Sequence, residues 1–343
     1  MLSQLITGED NYNHILIAPL NWGLGHATRM IPIISHSLSV GKKVTLASDG
    51  DALELLRREF PDLDYYELPA YDIKYAKRNT SLKIISQAPK IALKVNAECN
   101  AIAVIVQECN PDLIISDNRL GVRHPDIRSI VVTHQVNLIS PVSLLNTPAL
   151  RLNLNYLNKF DQVWIMDYAD RRLSGKLSIS DGLNNFKYIG SQSRLQPAPA
   201  DAKIERDILV ILSGPEPQRT ILEETLITLL SQVDYRYHII RGTTKALNAN
   251  YLALSTEGKI SHLAQTKELN ALINTSKLVI TRTGYTSVMD LDAVQQSAIL
   301  IPTPGQSEQV YLGEHLKTHP LFTVIEQKAV ASKLEDVLKE VLD

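Results

Sequence analysis

Cysteine, aromatic residues and net charge are all scarce in this chain. Its 343 residues include two cysteines, Cys99 and Cys109, and 6% aromatic residues. Within one helix these cysteines would lie about 15 Å apart, too far for a disulfide, which suits a reducing cytoplasm. The formal net charge of −2 lacks the basic excess of nucleic-acid-binding proteins, so no nucleic-acid partner is expected.

Long apolar runs are also missing. Uninterrupted runs such as 101–106 are far shorter than the ~20 residues that a membrane helix needs. The amino-terminal MLSQLITGEDNYN lacks the basic start and the apolar stretch of a secretory signal. We therefore expect a cytoplasmic protein that meets a membrane only from its surface, if at all.

Short apolar, β-branched runs alternate with helical patterns along the chain. The first run, His14 to Pro19, is followed by a glycine turn and a helical pattern from Ala27 to Leu38. Near-continuous apolar strands separated by helices are typical of parallel sheets covered on both faces. Because the chain exceeds the usual size of a single core, the sequence predicts an α/β protein with two Rossmann-like domains.

A proline- and alanine-rich stretch at 196–200 predicts the domain boundary. The N-terminal domain is then residues 1–195, and the C-terminal domain is residues 196–343. The apolar stripe of the last predicted helix, Ala329 to Leu342, must pack on something, and crossing back to the N-terminal domain is one option.

Ligands of parallel α/β sheets bind at the loops that leave the carboxyl ends of strands. In the first domain that loop is Asn21 to Arg29, where Gly23 and Gly25 allow close backbone approach. His26 follows these glycines and is suited to act as a general base, or to bind a sugar or phosphate oxygen. The alternative is that His26 merely caps the turn.

A nicotinamide site competes for the same loop. Gly23-x-Gly25 follows the first strand, and Asp49 ends the second, where a ribose-binding acid would lie. Against a dehydrogenase, Thr28 replaces the third glycine of the fingerprint, and the second domain has ligand-type loops of its own.

Three loops of the second domain combine space with polar groups. Loop 213–219 contains Gly214 and two prolines before a predicted helix, which suits a diphosphate. Loops 281–287 and 302–309 carry hydroxyls, amides and a carboxylate, which suit a ligand rich in hydroxyl groups. Asp290 and Asp292 point about 200° apart on their helix, so no metal site is predicted.

Together these loops resemble the GT-B glycosyltransferases related to MurG, the peptidoglycan N-acetylglucosaminyltransferase (family 28-like). The likeness spans nearly the whole chain and is strongest at Arg282-Thr283-Gly284 and at 302–309. It implies two Rossmann-like domains facing each other across a cleft. It also implies an inverting, metal-independent hexosyl- or N-acetylhexosaminyl-transferase without a cofactor, using a nucleotide-diphosphate sugar, with a UDP-sugar favoured.

The resemblance assigns residues to both substrates. On the acceptor side these are Gly23, Gly25, Asn118 and His134. On the donor side they are Arg194, Ser213, Gly214, Arg282, Thr283, Gly284, Asp290, Glu308 and Gln309. Within that set, Asp290 takes the place of a ribose-binding acid and Arg194 that of a phosphate-contacting arginine. Glu308 and Gln309 are assigned to the donor sugar.

The catalytic base is where the chain departs from the family. The family's His-Glu-Gln-Asn appears as His134-Gln135-Val136-Asn137, without the glutamate. Asp117, which ends another predicted strand, is a substitute base on geometry alone, and structural capping is the alternative. His26 and Asp117 both stay candidates for the base.

The segment 73–97 contains six lysines and arginines and no acid, interleaved with apolar residues. Such segments adsorb to anionic membranes, which favours a peripheral contact with the inner face of the membrane and a lipid-linked acceptor. The alternatives are a solvated helix face and a small-molecule acceptor. Two other functions fit the same fold: a nucleotide-sugar epimerase or hydrolase, and a non-catalytic sugar-nucleotide-binding subunit.

Overall fold

The structure is a computed structural model that describes residues 12–71, 87–140, 142–199, 202–243, 246–251, 253–254, 257 and 259–342. Most of the basic segment, residues 73–86, lies outside the described residues, as do the first eleven residues and Ala200 of the predicted linker. The chain divides into two compact units, and the change of unit falls between Arg194 and Leu195.

The first unit is built on a parallel sheet of seven strands in the order β3-β2-β1-β4-β5-β6-β7. Its strands are β1 (His14–Pro19), β2 (Lys43–Ser48), β3 (Tyr65–Glu67), β4 (Leu113–Asp117), β5 (Arg128–Thr133), β6 (Gln162–Ile165) and β7 (Phe186–Tyr188). Its described α-helices are α1 (Leu24–Ser39), α2 (Gly50–Glu59), α3 (Ala88–Cys109) and α4 (Asn146–Leu157). Every residue of β1 is buried, as expected of a central strand covered on both faces.

The second unit is built on a parallel sheet of six strands in the order β10-β9-β8-β11-β12-β13. Its strands are β8 (Arg206–Ile211), β9 (Tyr237–Ile240), β10 (Ile260–Ser261), β11 (Ser276–Arg282), β12 (Ala298–Ile301) and β13 (Phe322–Val324). Its described α-helices are α5 (Gln218–Leu230), α6 (Thr266–Asn274), α7 (Tyr285–Ala293), α8 (Ser307–His315) and α9 (Val330–Leu342).

The last helix packs on its own unit. Val330, Leu334 and Leu338 are buried in the apolar core that α5 and the strands of the second sheet form. The apolar stripe of α9 is therefore buried within the second unit. Crossing back to the N-terminal domain, the option that the sequence left open, is not needed to bury it. No helix within the described ranges is long and apolar enough to cross a membrane.

Each sheet has one position where the strand order reverses. In the first sheet it lies between β1 and β4, and in the second between β8 and β11. Loops that leave two such neighbouring strands turn toward opposite faces of the sheet and leave a crevice, which is where open α/β sheets bind ligands. The two crevices of this chain are therefore bordered by the loops after β1 and β4, and by those after β8 and β11.

Candidate functional site

The crevice of the first sheet brings His26 and Asp117 together. Gly23 precedes α1 with a φ of 110°, a conformation that costs glycine little, and His26 lies in the first turn of the helix. Asp117 is the last residue of β4 and pairs in register with Pro19 of β1. His26 Nδ1 lies 3.1 Å from Asp117 Oδ2. The two residues that the sequence offered as rival bases are hydrogen-bonding partners.

Arg29, one helical turn after His26, completes this arrangement. Its Nε donates to Asp117 Oδ2 at 2.8 Å, and its Nη2 contacts Asp117 Oδ1, so the carboxylate is held by a bidentate fork. Arg29 Nη1 lies 3.0 Å from His134 Nδ1, and Arg29 Nη2 lies 2.9 Å from His26 Nδ1. We call His26, Arg29, Asp117 and His134 the His26 cluster.

Electrostatics divide the roles within the His26 cluster. Burial would raise the pKa of the Asp117 carboxyl, but the neighbouring Arg29 guanidinium and His26 outweigh burial and hold this pKa at about 2. Burial and, next, the charge of Arg29 lower the pKa of His26 below 6.5, against the opposing effect of Asp117. At neutral pH Asp117 is an anion and His26 is an uncharged imidazole, 16% of which is exposed.

The other residues that the resemblance assigns to the acceptor lie in this cluster or close to it along the chain. His134 is buried, so it contacts Arg29 rather than lining an open surface. Asn118 is half-buried and has a φ of 55°, a left-handed conformation that asparagine tolerates better than most residues. Its position directly after Asp117 turns the chain so that Arg119 points inward.

A second buried ionic network supports the loop before His26. Arg119 contacts Asp49, donates to Glu98 Oε1 at 2.8 Å and also donates to the carbonyl of Pro19. Asn21 donates to the other oxygen of Asp49 at 3.1 Å. Both carboxylate oxygens of Asp49 are thus engaged within the protein, which argues against the ribose-binding role that a dehydrogenase would need.

The crevice of the second sheet collects buried polar atoms without partners. The Nε of Arg282 and the hydroxyls of Thr283 and Thr303 are buried and have no hydrogen-bond partner among the described residues. A Cβ placed on Gly214, which has a φ of 98°, would lie 3.5 Å from Thr303 Oγ1 and 4.0 Å from Arg282 Nε. We call Gly214, Arg282, Thr283 and Thr303 the Gly214 crevice.

Arg282 places an uncompensated charge at this crevice. Its Nη1 donates to Gln327 Oε1 at 2.7 Å and its Nη2 to the carbonyl of Gln218 at 2.7 Å, and no acid contacts it within the described part of the chain. Burial lowers its pKa to about 10, so it stays charged at neutral pH. A buried cation without a counter-ion is costly, and an anion bound beside it would offset that cost.

The other residues that the resemblance assigns to the donor follow strands β8, β11 and β12 of the second unit, except for Arg194. Ser213 is exposed next to Gly214, Gly284 precedes α7, and Asp290 is half-buried on that helix. Glu308 and Gln309 lie in the first turn of α8, and Gln309 Oε1 accepts a hydrogen bond from the Thr303 N–H at 2.9 Å. Arg194 is the last residue of the first unit and is half-buried.

Sequence reasoning missed two residues that the structure puts at the centre of these sites. Arg29 lies three residues after His26, a spacing that places both side chains on one face of a helix, and this was the available signal. Thr303 belongs to a loop that the sequence did single out, but nothing in its local pattern shows that its hydroxyl would face Gly214. Within the described ranges, no group of three or more His, Cys, Asp or Glu side chains is placed to hold a metal ion.

Comparisons with known proteins find similarity to glycosyltransferases. Residues 218–343 match the sequence profile of the glycosyltransferase family 28 C-terminal domain. A stretch of 120 residues is 28% identical to the UDP-N-acetylglucosamine–N-acetylmuramyl-(pentapeptide) pyrophosphoryl-undecaprenol N-acetylglucosamine transferase of Methylobacterium radiotolerans. That match spans 33% of this chain and 32% of the relative, about a third of each.

Solved structures extend the likeness to the fold of the whole chain. MurG of Acinetobacter baumannii is 14% identical, with a TM-score of 0.55, over 96% of this chain and 92% of the other. The spinosyn rhamnosyltransferase SpnG, solved with thymidine diphosphate, is 12% identical, with a TM-score of 0.63, over 95% and 92%. The expected glycosyltransferase is supported by the family match, and the expected fold is confirmed. Residues 218–343 thus match the C-terminal domain of glycosyltransferase family 28, within a chain that as a whole has the GT-B fold.

Proposed function

We propose that the chain is an inverting glycosyltransferase that moves a sugar from a nucleotide-diphosphate donor, with a UDP-sugar favoured, to a hydroxyl acceptor. The observation that carries this proposal is the Gly214 crevice, which combines a buried cation and two buried hydroxyls, none of them with a charged or hydrogen-bonding partner for the free atom among the described residues. It lies within a unit whose residues 218–343 match a glycosyltransferase domain. A diphosphate supplies the negative charge and the acceptor oxygens that this crevice lacks.

The donor side of the proposal follows from the helices that start at this crevice. The N-terminal ends of α5 and α7 contribute positive dipole ends, which favour a bound diphosphate. In this proposal Asp290 binds the ribose, Glu308 and Gln309 contact the sugar, and Arg194 contacts a phosphate. The leaving diphosphate is stabilised by Arg282 and by the N-terminal dipoles of α5 and α7, so the transfer requires no metal ion and no cofactor.

On the acceptor side, His26 is the proposed general base. Its Nδ1–H donates to Asp117, which leaves the lone pair of Nε2 free to take the proton of the acceptor hydroxyl. The acceptor oxygen then bonds to the anomeric carbon while the bond from that carbon to the diphosphate oxygen breaks. The electron pair of the broken bond leaves with the nucleotide diphosphate, and Asp117 stabilises the imidazolium that His26 becomes.

The acceptor itself is proposed to be hydrophobic or lipid-linked and to be met at the cytoplasmic face of the membrane. Exposed leucines of the first unit support this, among them Leu144, which is 85% exposed, and Leu93 on α3. Lys90 and Lys94 lie on α3 next to Leu93 and add the positive charge that attracts anionic lipid. Equal flotation of the protein with zwitterionic liposomes and with liposomes that contain anionic lipid would contradict this part of the proposal.

A thermal-shift series with UDP-, GDP- and dTDP-sugars tests the donor. Selective binding of one nucleotide-sugar raises the midpoint of unfolding, because a ligand that binds only the folded state stabilises it by mass action. No rise with any of them would overturn the proposal. Incubation of the selected donor alone then separates the alternatives, since an epimerase or a hydrolase consumes donor without acceptor. A non-catalytic subunit binds the donor but shows no turnover with any acceptor.

A further inference from the structure

Among the described residues, Arg29 forms hydrogen bonds only within the His26 cluster, where its N–H groups contact one carboxylate and two histidines. Nε and Nη2 hold the two oxygens of Asp117, Nη1 faces His134 Nδ1, and Nη2 also faces His26 Nδ1. Arg29, Asp117 and His134 are buried. A guanidinium can only donate hydrogen bonds, so the partner atom in each of these contacts must be the acceptor.

The contact with His134 fixes one tautomer. Because Arg29 Nη1 can only donate, His134 Nδ1 must accept, and the proton of His134 is therefore on Nε2. His134 thus adds no positive charge of its own while it accepts this bond.

The contacts of His26 pose opposite demands on a single atom. Asp117 Oδ2, at 3.1 Å from Nδ1, can only accept a hydrogen bond, whereas Arg29 Nη2, at 2.9 Å from Nδ1, can only donate one. When Nδ1 carries the proton it bonds to Asp117, and when Nδ1 is bare it bonds to Arg29. Only the first state leaves Nε2 bare, and a doubly protonated ring would face the Arg29 cation across 2.9 Å.

We propose that Arg29 is a positioning residue that fixes the Asp117 carboxylate and keeps His26 uncharged until it accepts a proton from the acceptor. This inference rests on the proposed function only for the identity of that acceptor. The charged and titratable groups that face His26 are Arg29 on α1, Asp117 at the end of β4 and His134 after β5. Arg29 disfavours a positive charge on His26 and Asp117 favours one, so the protonation state of His26 depends on the balance between these two charges.

The direction of the titration agrees with this geometry. Burial comes first among the causes that lower the pKa of His26, the charge of Arg29 comes second, and Asp117 acts in the other direction. Removing Arg29 would leave the Asp117 anion facing His26 with no competing cation. His26 would then become charged at a higher pH, and the cluster would hold an Asp–His⁺ pair.

The test is an NMR titration of the histidines in the full-length protein without donor or acceptor, with His26 assigned from the missing signal of His26→Gln. Arg29→Met should raise the pKa of His26 by about one to three units, the range expected when a neighbouring charge is removed. Arg29→Lys, which keeps a cation but loses the fork, should restore part of the shift. Arg58→Met, which removes an exposed arginine on α2 of the same unit, is the matched control and should leave the pKa unchanged.

The unmodified protein gives a second measurement in case the variants do not fold. Long-range ¹H–¹⁵N spectra should show His134 Nδ1 without a proton and a His26 pKa below 6.5. A pKa of His26 above 7 in the unmodified protein would overturn the proposal. An unchanged pKa of His26 in a folded Arg29→Met protein would overturn it as well. No substrate enters these measurements, so a chain that binds no nucleotide-sugar would contradict the proposed function and leave this result intact.

Discussion

The two crevices of the molecule treat charge in opposite ways. In the His26 cluster, the Asp117 anion is paired with the Arg29 cation, and His26 is left neutral between them. In the Gly214 crevice, the Arg282 cation has no acidic partner and the hydroxyls of Thr283 and Thr303 have no hydrogen-bond partner among the described residues. A cluster with balanced charges can set the protonation state of a histidine, whereas a cluster with an uncompensated cation favours binding of an anion. Substitutions in either crevice test this difference.

The largest effect is expected from the base. His26→Ala should lower kcat by roughly 10²- to 10⁴-fold, because that is the usual contribution of a general base. Steady-state kinetics would show this, while binding of the donor, measured by calorimetry, should hardly change. Near-normal turnover in a folded His26→Ala protein would remove His26 from the mechanism and weaken the contrast between the two crevices.

A smaller effect is expected when the unbalanced charge is removed. Arg282→Met should weaken binding of the nucleoside diphosphate by about ten- to a hundredfold, the range of a lost hydrogen bond to a charged group. The control is Arg236→Met, which removes an arginine of the same unit that is exposed and paired with Asp207. Calorimetry that finds equal losses in both variants would mean that total charge, and not the crevice, governs binding.

The smallest effect is expected from removing single hydroxyl groups, and it distinguishes a hydroxyl that binds the ligand from one that stabilises the fold. Thr303→Val removes a hydroxyl without a partner and should weaken donor binding about two- to tenfold with little change in the midpoint of unfolding. Thr281→Val removes a hydroxyl that donates to the Ile211 carbonyl at 2.8 Å, so it should lower the midpoint and leave binding alone. The same pattern in both variants would show that Thr303 has a structural role.

The alternation of apolar strands and helices was enough to predict two parallel sheets, because a strand buried on both faces must be apolar along its length. The strands β7, β10 and β13 escaped prediction. They are two or three residues long, and so few residues carry no recognisable period. Their places are set by pairing with a neighbouring strand, which is a tertiary interaction.

The candidate site divides in the same manner. Glycines and hydroxyls at strand ends marked the loops after β1, β8, β11 and β12, since turns beside a ligand need those residue types locally. The sequence could not predict which side chains contact each other at these loops. Arg29 and Asp117 are 88 residues apart, and they meet because β1 and β4 are neighbours at the reversal of the strand order. The sequence could only leave His26 and Asp117 as rivals.

The sequence by itself therefore determined the two sheets, the loops proposed to bind ligands and the likeness to a glycosyltransferase family, because each depends on short-range pattern and residue type. Only the tertiary structure decided that His26 and Asp117 are partners, that Asp49 is engaged by Arg119, and that Arg282 has no counter-ion among the described residues. Protonation and charge balance depend on distances of a few ångströms between residues far apart in the chain, and folding alone sets those distances.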